Sequence, residues 1–192
     1  MTEAAQKTTA REAAEEALLD AAERLLVDVG YAAITTRRLA AEAGVNHGLV
    51  HYYFGSNENL LVRALERFTA RLVARQRELY AADMPFIEKW RQAMRYLVGD
   101  DVTYEKIWLE LQAMAWNDPE LRERLARVSA EWRAVLTDAF EQARREYGIE
   151  MPLEALVSLV LTFNVGVMVE RLGGIETGHQ ALLDWIDEWL SR

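Results

Sequence analysis

Apolar residues recur at helical spacing along most of the chain. Leu18, Ala22, Leu25, Leu26 and Val29 fall on one stripe, which predicts a helix from about Ala10 to Val29. Gly30 supplies its C-terminal stop. After a connector at 31–34, Thr35 or Thr36 caps a short helix, TRRLAAEA, and Gly44 ends it. Asn46 is placed to cap the next, HGLVHYYF; Gly55 stops that one, and Ser56 caps a longer helix reaching about Tyr80. Asp83-Met84-Pro85 breaks the chain, and helices are predicted at 85–99, 103–116, 119–147, 152–172 and 178–191. Asp118-Pro119-Glu120 is a strong start, joining a cap, a first-turn proline and an acid that suits the helix dipole. Met151-Pro152 is another, and GGIETG (173–178) is the clearest late loop. No run alternates for long in the manner of a half-buried strand. The pattern describes an all-α chain of about nine helices.

The pair around AGVN is a helix, a tight turn containing Gly, and a second helix, the organisation of a helix-turn-helix. Leu39, Ala40 and Ala43 face inward from the first helix, Val45 plugs the turn, and Val50 and Phe54 face inward from the second. Spacing alone fits a helical hairpin with no nucleic-acid role equally well.

Composition narrows the class. Of 192 residues, 51% are hydrophobic and 28% charged, ordinary for a globular chain, and only 3 are proline. The absence of cysteine excludes disulfides and thiolate metal sites. The N-terminus is polar, without a signal core. Ala155–Val169 is apolar but lies between Glu154 and Glu170 and holds Ser158, Thr162 and Asn164, which reads as too short and too polar for a membrane span. A cytoplasmic protein without membrane association is expected. Net charge is −9, yet residues 1–80 hold 10 Lys+Arg against 11 Asp+Glu, so most of the acidity falls later. The N-terminal part can approach a polyanion if its positive groups face one way.

His47 and His51, four apart, share one helical face in the manner of a His-Glu-x-x-His metal site. Here Gly48 stands where the general base is needed, and His179 is remote in sequence. A catalytic zinc needs three protein ligands, so a metalloenzyme is disfavoured. No phosphate-binding glycine loop or serine nucleophile elbow is present. No enzymatic role, metal or cofactor is expected.

The stretch TTRRLAAEAGVNHGLVHYYFGSNENLLVRAL (35–65) resembles the DNA-binding region of the tetracycline-repressor (TetR) family of bacterial transcriptional regulators. The shared pattern is Thr-Thr, an apolar-Ala pair, Ala-Gly-Val, an aromatic cluster ending in Phe, then Ser-x-Glu-x-Leu-Leu. The resemblance covers roughly residues 14–68. It implies a three-helix DNA-binding head, assigned to 1–60 with residues 1–10 as a flexible tail, on a ligand-binding and dimerisation body at 61–192. It also implies a homodimer on a palindromic operator of double-stranded DNA, released by a small effector, most often as a repressor. The competing reading is a helical binding or interaction protein whose head has no DNA activity.

The resemblance places His47, Gly48 and Leu49 at the leading end of a recognition helix, with Tyr52 on its exposed side and His51 and Tyr53 toward phosphates. Gly48 serves either close approach to DNA or a tight contact within the head. Thr36 lies at a helix N-terminus that favours a phosphate; Arg37 matches a position able to reach a guanine edge, and Arg38 suits a phosphate. Ser56 marks a second anion-binding helix start. The family commonly has Lys at Asn57 and Tyr at His51. Asn57 therefore predicts one phosphate contact fewer, restored by Asn57→Lys, and His51 predicts tighter binding at mildly acidic pH.

The body is rich in aromatics and methionine. Trp108, Leu111, Met114, Trp132 and Phe163, with the polar Gln112 and Asn164, are candidates for a largely hydrophobic effector site, although any of them serves equally as core. Helix 152–172 is apolar around much of its circumference, and helix 178–191 carries Leu182, Trp185, Ile186 and Trp189 on one stripe. Two such helices per chain suit a four-helix dimer interface.

Overall fold

Short-range caps define the helix boundaries. Thr35 Oγ1 accepts from Arg38 N at 3.2 Å, Ser56 Oγ from Asn59 N at 3.1 Å, and Asp118 Oδ1 from Leu121 N at 3.0 Å. Each satisfies a backbone donor that the first helical turn leaves unpaired. In the computed structural model, which describes residues 3–100 and 102–191, the result is α1 (Glu3–Val29), a 3-10 turn (Tyr31–Ala33), α2 (Thr36–Ala43), α3 (Gly48–Phe54) and α4 (Asn57–Ala81). There follow α5 (Phe86–Arg95), a π-helical turn (Tyr96–Asp100), α6 (Val102–Ala115), α7 (Pro119–Glu146), α8 (Leu153–Leu172) and α9 (His179–Leu190). Among the described residues there are nine α-helices and no strand, as the hydrophobic pattern predicts.

Three details differ from the sequence expectation. Residues 3–10, expected as a tail, are helical, because Ala, Glu, Gln and Lys favour helix with or without an apolar stripe. The predicted helix 85–99 changes to π-helical spacing at Tyr96. The apolar helix around 155–169 runs the full 20 residues of α8 and is long and apolar enough, by length and composition, to cross a membrane.

The chain forms two compact units. One runs to Ala70 and adds Lys106–Met114; the other holds Arg71–Glu105 and the chain from Ala115. In the first, Leu18, Ala22, Leu25, Leu26, Leu39, Ala40, Val50, Phe54, Leu61 and Leu65 are buried. Ala43 and Val45 are half-buried. Arg67 on α4 clamps α1 by donating to Glu16, Asp20 and Glu23 at 2.6, 2.6 and 2.9 Å. Burial alone would lower the Arg67 pKa, but the bonds to Glu23 and Asp20 raise it above the ordinary value.

In the second unit, Phe86, Trp90, Met94, Phe140, Val157 and Leu190 build the core, with Phe86 edge-on to Phe140. Lys89 Nζ donates to the Tyr80 carbonyl at 2.7 Å, closing the C-terminal end of α4. Arg91 grips Asp187 through two bonds, from Nε to Oδ1 at 2.5 Å and from Nη2 to Oδ2 at 2.8 Å, fastening α5 to α9.

The hydrogen bond from Arg91 holds the Asp187 carboxyl below its usual range. A carboxyl depressed in the folded state contributes stability above its unfolded value and loses it as pH falls through the folded one. Asp187→Asn is expected to lower the melting temperature at pH 7, with the difference from the wild type shrinking as pH falls below about 4. Equal differences at both pH values would show that this pair does not support the fold.

Gln76 is 7% exposed, and its Oε1 has no hydrogen-bond partner. An unpaired buried amide oxygen is costly, whereas a leucine of similar length is not. Gln76→Leu is expected to leave stability unchanged or to raise it by up to about 1 kcal/mol. Denaturant unfolding measures this, and a clear loss would mean that the amide is needed for folding.

Candidate nucleic-acid interface

The turn between α2 and α3 is built from three residues. Gly44 adopts φ 68°, a left-handed conformation that side chains disfavour, and so ends α2 sharply. Val45 N donates to Ala40 O at 2.9 Å. Asn46 Oδ1 accepts from Gly48 N at 2.8 Å and so starts α3, as its sequence position predicts. A Cβ on Gly48 would meet that same oxygen at 3.3 Å. This gives Gly48 a reason within the head itself, beside any approach to DNA.

α3 turns Val50 and Phe54 fully inward, and Arg63 lies over the Phe54 ring at 5.5 Å. The same helix leaves His47, Gly48, His51 and Tyr52 exposed, with Tyr52 at 73%. Leu49 and Tyr53 are half-buried. Tyr53 has the Tyr52 ring edge-on at 5.0 Å and the Arg11 guanidinium at 5.7 Å. Arg11 thus joins this face from α1, a neighbour that no local spacing reveals. His51 Nδ1 stands 2.9 Å from the Gly55 carbonyl, so the ring nitrogen donates there and helps close α3.

Arg37 and Arg38 are exposed in the first turn of α2. Thr36 and Asn57, expected as separate phosphate contacts, are bonded to each other: Thr36 Oγ1 donates to Asn57 Oδ1 at 2.9 Å. This tie joins the start of α2 to the start of α4. It changes the meaning of Asn57, because a lysine there would add charge but remove the acceptor that orients Thr36. All eleven DNA-facing candidates lie in the first unit.

The effector candidates do not gather in one unit. Trp108, Gln112 and Met114 are half-buried, and Leu111 is buried at 1% exposure, all on the α6 stretch of the first unit. Trp132, Phe163 and Asn164 belong to the second. There Trp132 Nε1 donates to the Tyr104 hydroxyl at 3.0 Å, Phe163 packs against the core, and Asn164 Oδ1 is buried without a partner. Among the described residues, no group of three or more His, Asp or Glu could hold a metal ion.

Residues 18–64 match the sequence profile described as bacterial regulatory proteins, tetR family. The chain is 27% identical over 195 residues to the HTH-type transcriptional regulator BetI 1 of Chromohalobacter salexigens, covering 91% of this chain and 89% of that one. It is 27% identical over 178 residues to the HTH-type transcriptional repressor AcnR of Corynebacterium diphtheriae, covering 89% and 88%. The fold matches the crystal structure of the transcriptional regulator FadR from Bacillus subtilis in complex with stearoyl-CoA with a TM-score of 0.71 at 18% identity, covering 91% and 96%. Matched residues over the helix-turn-helix, relatives over most of the chain that are named as regulators, and a shared fold lead to one conclusion: residues 18–64 are a DNA-binding region of the tetR type, and the chain is a DNA-binding transcriptional regulator.

Proposed function

We propose that this regulator is a cytoplasmic repressor that binds a palindromic operator as a homodimer and is released by a small, largely hydrophobic effector. The observation that carries the reading is α3 itself. Val50 and Phe54 hold it down while His47, Gly48, His51 and Tyr52 stay exposed on its free side. A helix presented this way fits a major groove about 12 Å wide. His47, Leu49 and Tyr52 then read base edges, and Arg37 reaches a guanine edge from α2. Arg38, His51, Tyr53, Ser56 and Asn57 serve the phosphates, with Thr36 oriented by Asn57. In this reading residues 1–60 form the DNA-binding domain, and 61–192 the effector-binding and dimerisation domain.

Dimerisation is supported by apolar surface that a lone chain leaves wet. Leu159, Val165, Val169 and Leu172 on α8 and Leu182, Trp185 and Trp189 on α9 are exposed, Trp185 at 61%. Gly166 is exposed with nothing within 4 Å of where a Cβ would stand, which leaves room for close approach by another helix. A second copy would cover this surface and would also explain why α8 is apolar around much of its circumference without a bilayer. Two-fold symmetry then sets two recognition helices about 34 Å apart, one turn of DNA. For the effector, the relative solved with stearoyl-CoA supports a hydrophobic molecule. Trp132, Phe163 and Asn164 of the second unit are the proposed contacts. The repressor sense is supported by the name of the Corynebacterium relative.

Footprinting of the DNA upstream of the protein's own gene is expected to show a protected palindrome, bound at least about a thousandfold more tightly than random duplex. Equal affinity for both at physiological salt would end the regulatory reading. Arg37→Ala is expected to cost about tenfold in operator affinity and to relax base preference at one position per half-site.

Trp185→Arg places a charge in the proposed dimer surface. Sedimentation is expected to show a monomer, with operator affinity lost in parallel; a dimer of unchanged affinity would move the interface elsewhere.

A further inference from the structure

The passage from α1 into α2 runs through the six residues 30–35, and a distant carboxylate holds the backbone donor of Tyr31. Tyr31 N donates to Glu110 Oε2 at 2.8 Å, a bond between residues 79 apart in sequence. Both belong to the first unit, to which α6 contributes Lys106–Met114. Glu110 also lies against Gly30, where a Cβ would meet Oε1 at 3.3 Å. Gly30 has φ 71°, a backbone value that L side chains rarely adopt, at the break between α1 and the 3-10 turn. Next, Ile34 N donates to Tyr31 O at 3.0 Å, Ile34 is buried, and Thr35 caps α2. One 3-10 turn therefore separates the bond at Tyr31 from the cap of the helix-turn-helix.

Glu110 is exposed, while Ile107, Leu111 and Ala115 on the same helix are buried. Core packing therefore does not explain an acid at this position. Electrostatics opposes it too, since a carboxylate on a DNA-binding unit repels the phosphates. The bond to Tyr31 N is what it supplies in return. A charge-assisted hydrogen bond of this length is stronger than a neutral one and falls off within a few tenths of an ångström. The surroundings are tight on the Tyr31 side as well: burial, with Glu58 and Glu110, raises the Tyr31 phenol above its ordinary value.

We propose that Glu110 is a positioning residue for DNA binding: its bond to Tyr31 N fixes the 3-10 turn, and through Ile34 and Thr35 the angle at which α2 and α3 meet the operator. Glu110 touches no DNA in this arrangement. The proposal rests on the operator-binding reading above and goes beyond it by assigning part of that binding to a residue of α6.

Two substitutions separate position from charge. Glu110→Gln removes the charge and keeps an acceptor of the same length. Glu110→Asp keeps the charge and withdraws the oxygens by one methylene. The probes are the footprinted upstream duplex and a random duplex of equal length. Glu110→Asp is expected to lose about fivefold in affinity for the operator and nothing for the random duplex, with an unchanged salt slope. Glu110→Gln is expected to bind the operator at least as tightly as the wild type. Amide exchange over residues 31–35 should quicken in Glu110→Asp and stay slow in Glu110→Gln. If charge alone matters, Glu110→Asp equals the wild type and only Glu110→Gln changes, and the proposal is overturned. Unaltered exchange in both variants overturns it without reference to DNA. A wild-type protein that finds no operator is the separate failure of the regulatory reading.

Discussion

The recognition helix keeps its place by burying Val50 and Phe54, one turn apart on a helix of seven residues. So short a helix has no stability of its own, since isolated helices below about 12 residues are marginal in water. Its conformation is therefore on loan from the head's interior, where Leu18, Ala22, Leu25, Leu26, Leu39 and Ala40 receive it. A head of this size buries too little surface to be robust alone. The rest of the first unit reads as reinforcement: Arg67 binding three acids of α1, Arg24 donating to Glu42 of α2 at 2.8 Å, Thr36 to Asn57, and Tyr31 to Glu110. Each bond fixes an edge of a scaffold whose centre is a few aliphatic side chains.

These ties also reconcile a chain of net charge −9 with binding to a polyanion. Glu15 accepts from Arg11, Glu42 from Arg24, and Glu16, Asp20 and Glu23 from Arg67. Five acids of the head are thereby held in internal pairs on α1 and α2, while Arg37 and Arg38 remain exposed at the start of α2. Local arrangement rather than net charge governs the approach to DNA.

α8 shows how one composition fits different environments. Its 20 residues, most of them apolar, satisfy the length of a membrane span, and in a lone chain much of that surface is exposed. In the proposed reading, the DNA-binding region at 18–64 and the apolar stripe of α9 favour another copy of the chain over lipid as its cover. The hydrophobic effect sets the need for burial but does not select what covers the surface.

Much of the architecture was legible in the residues. Caps at Thr35, Ser56 and Asp118, glycine stops at Gly44 and Gly55, and the inward stripe of Leu39, Ala40, Val50 and Phe54 all depend on neighbours within one helical turn, and one chain suffices to read them. The exposed face of α3 follows from the same period. What the sequence could not contain was the pairing of distant polar groups. Asn57 read as a missing lysine until its amide was found holding Thr36, and no local spacing ties Glu110 to Tyr31 N, 79 residues away. Such bonds depend on where whole helices come to lie, to within a few tenths of an ångström, and no local period encodes that distance. The sequence by itself determined which residues turn inward and where each helix starts; only the tertiary structure decided which polar side chains hold the DNA-reading pair in place.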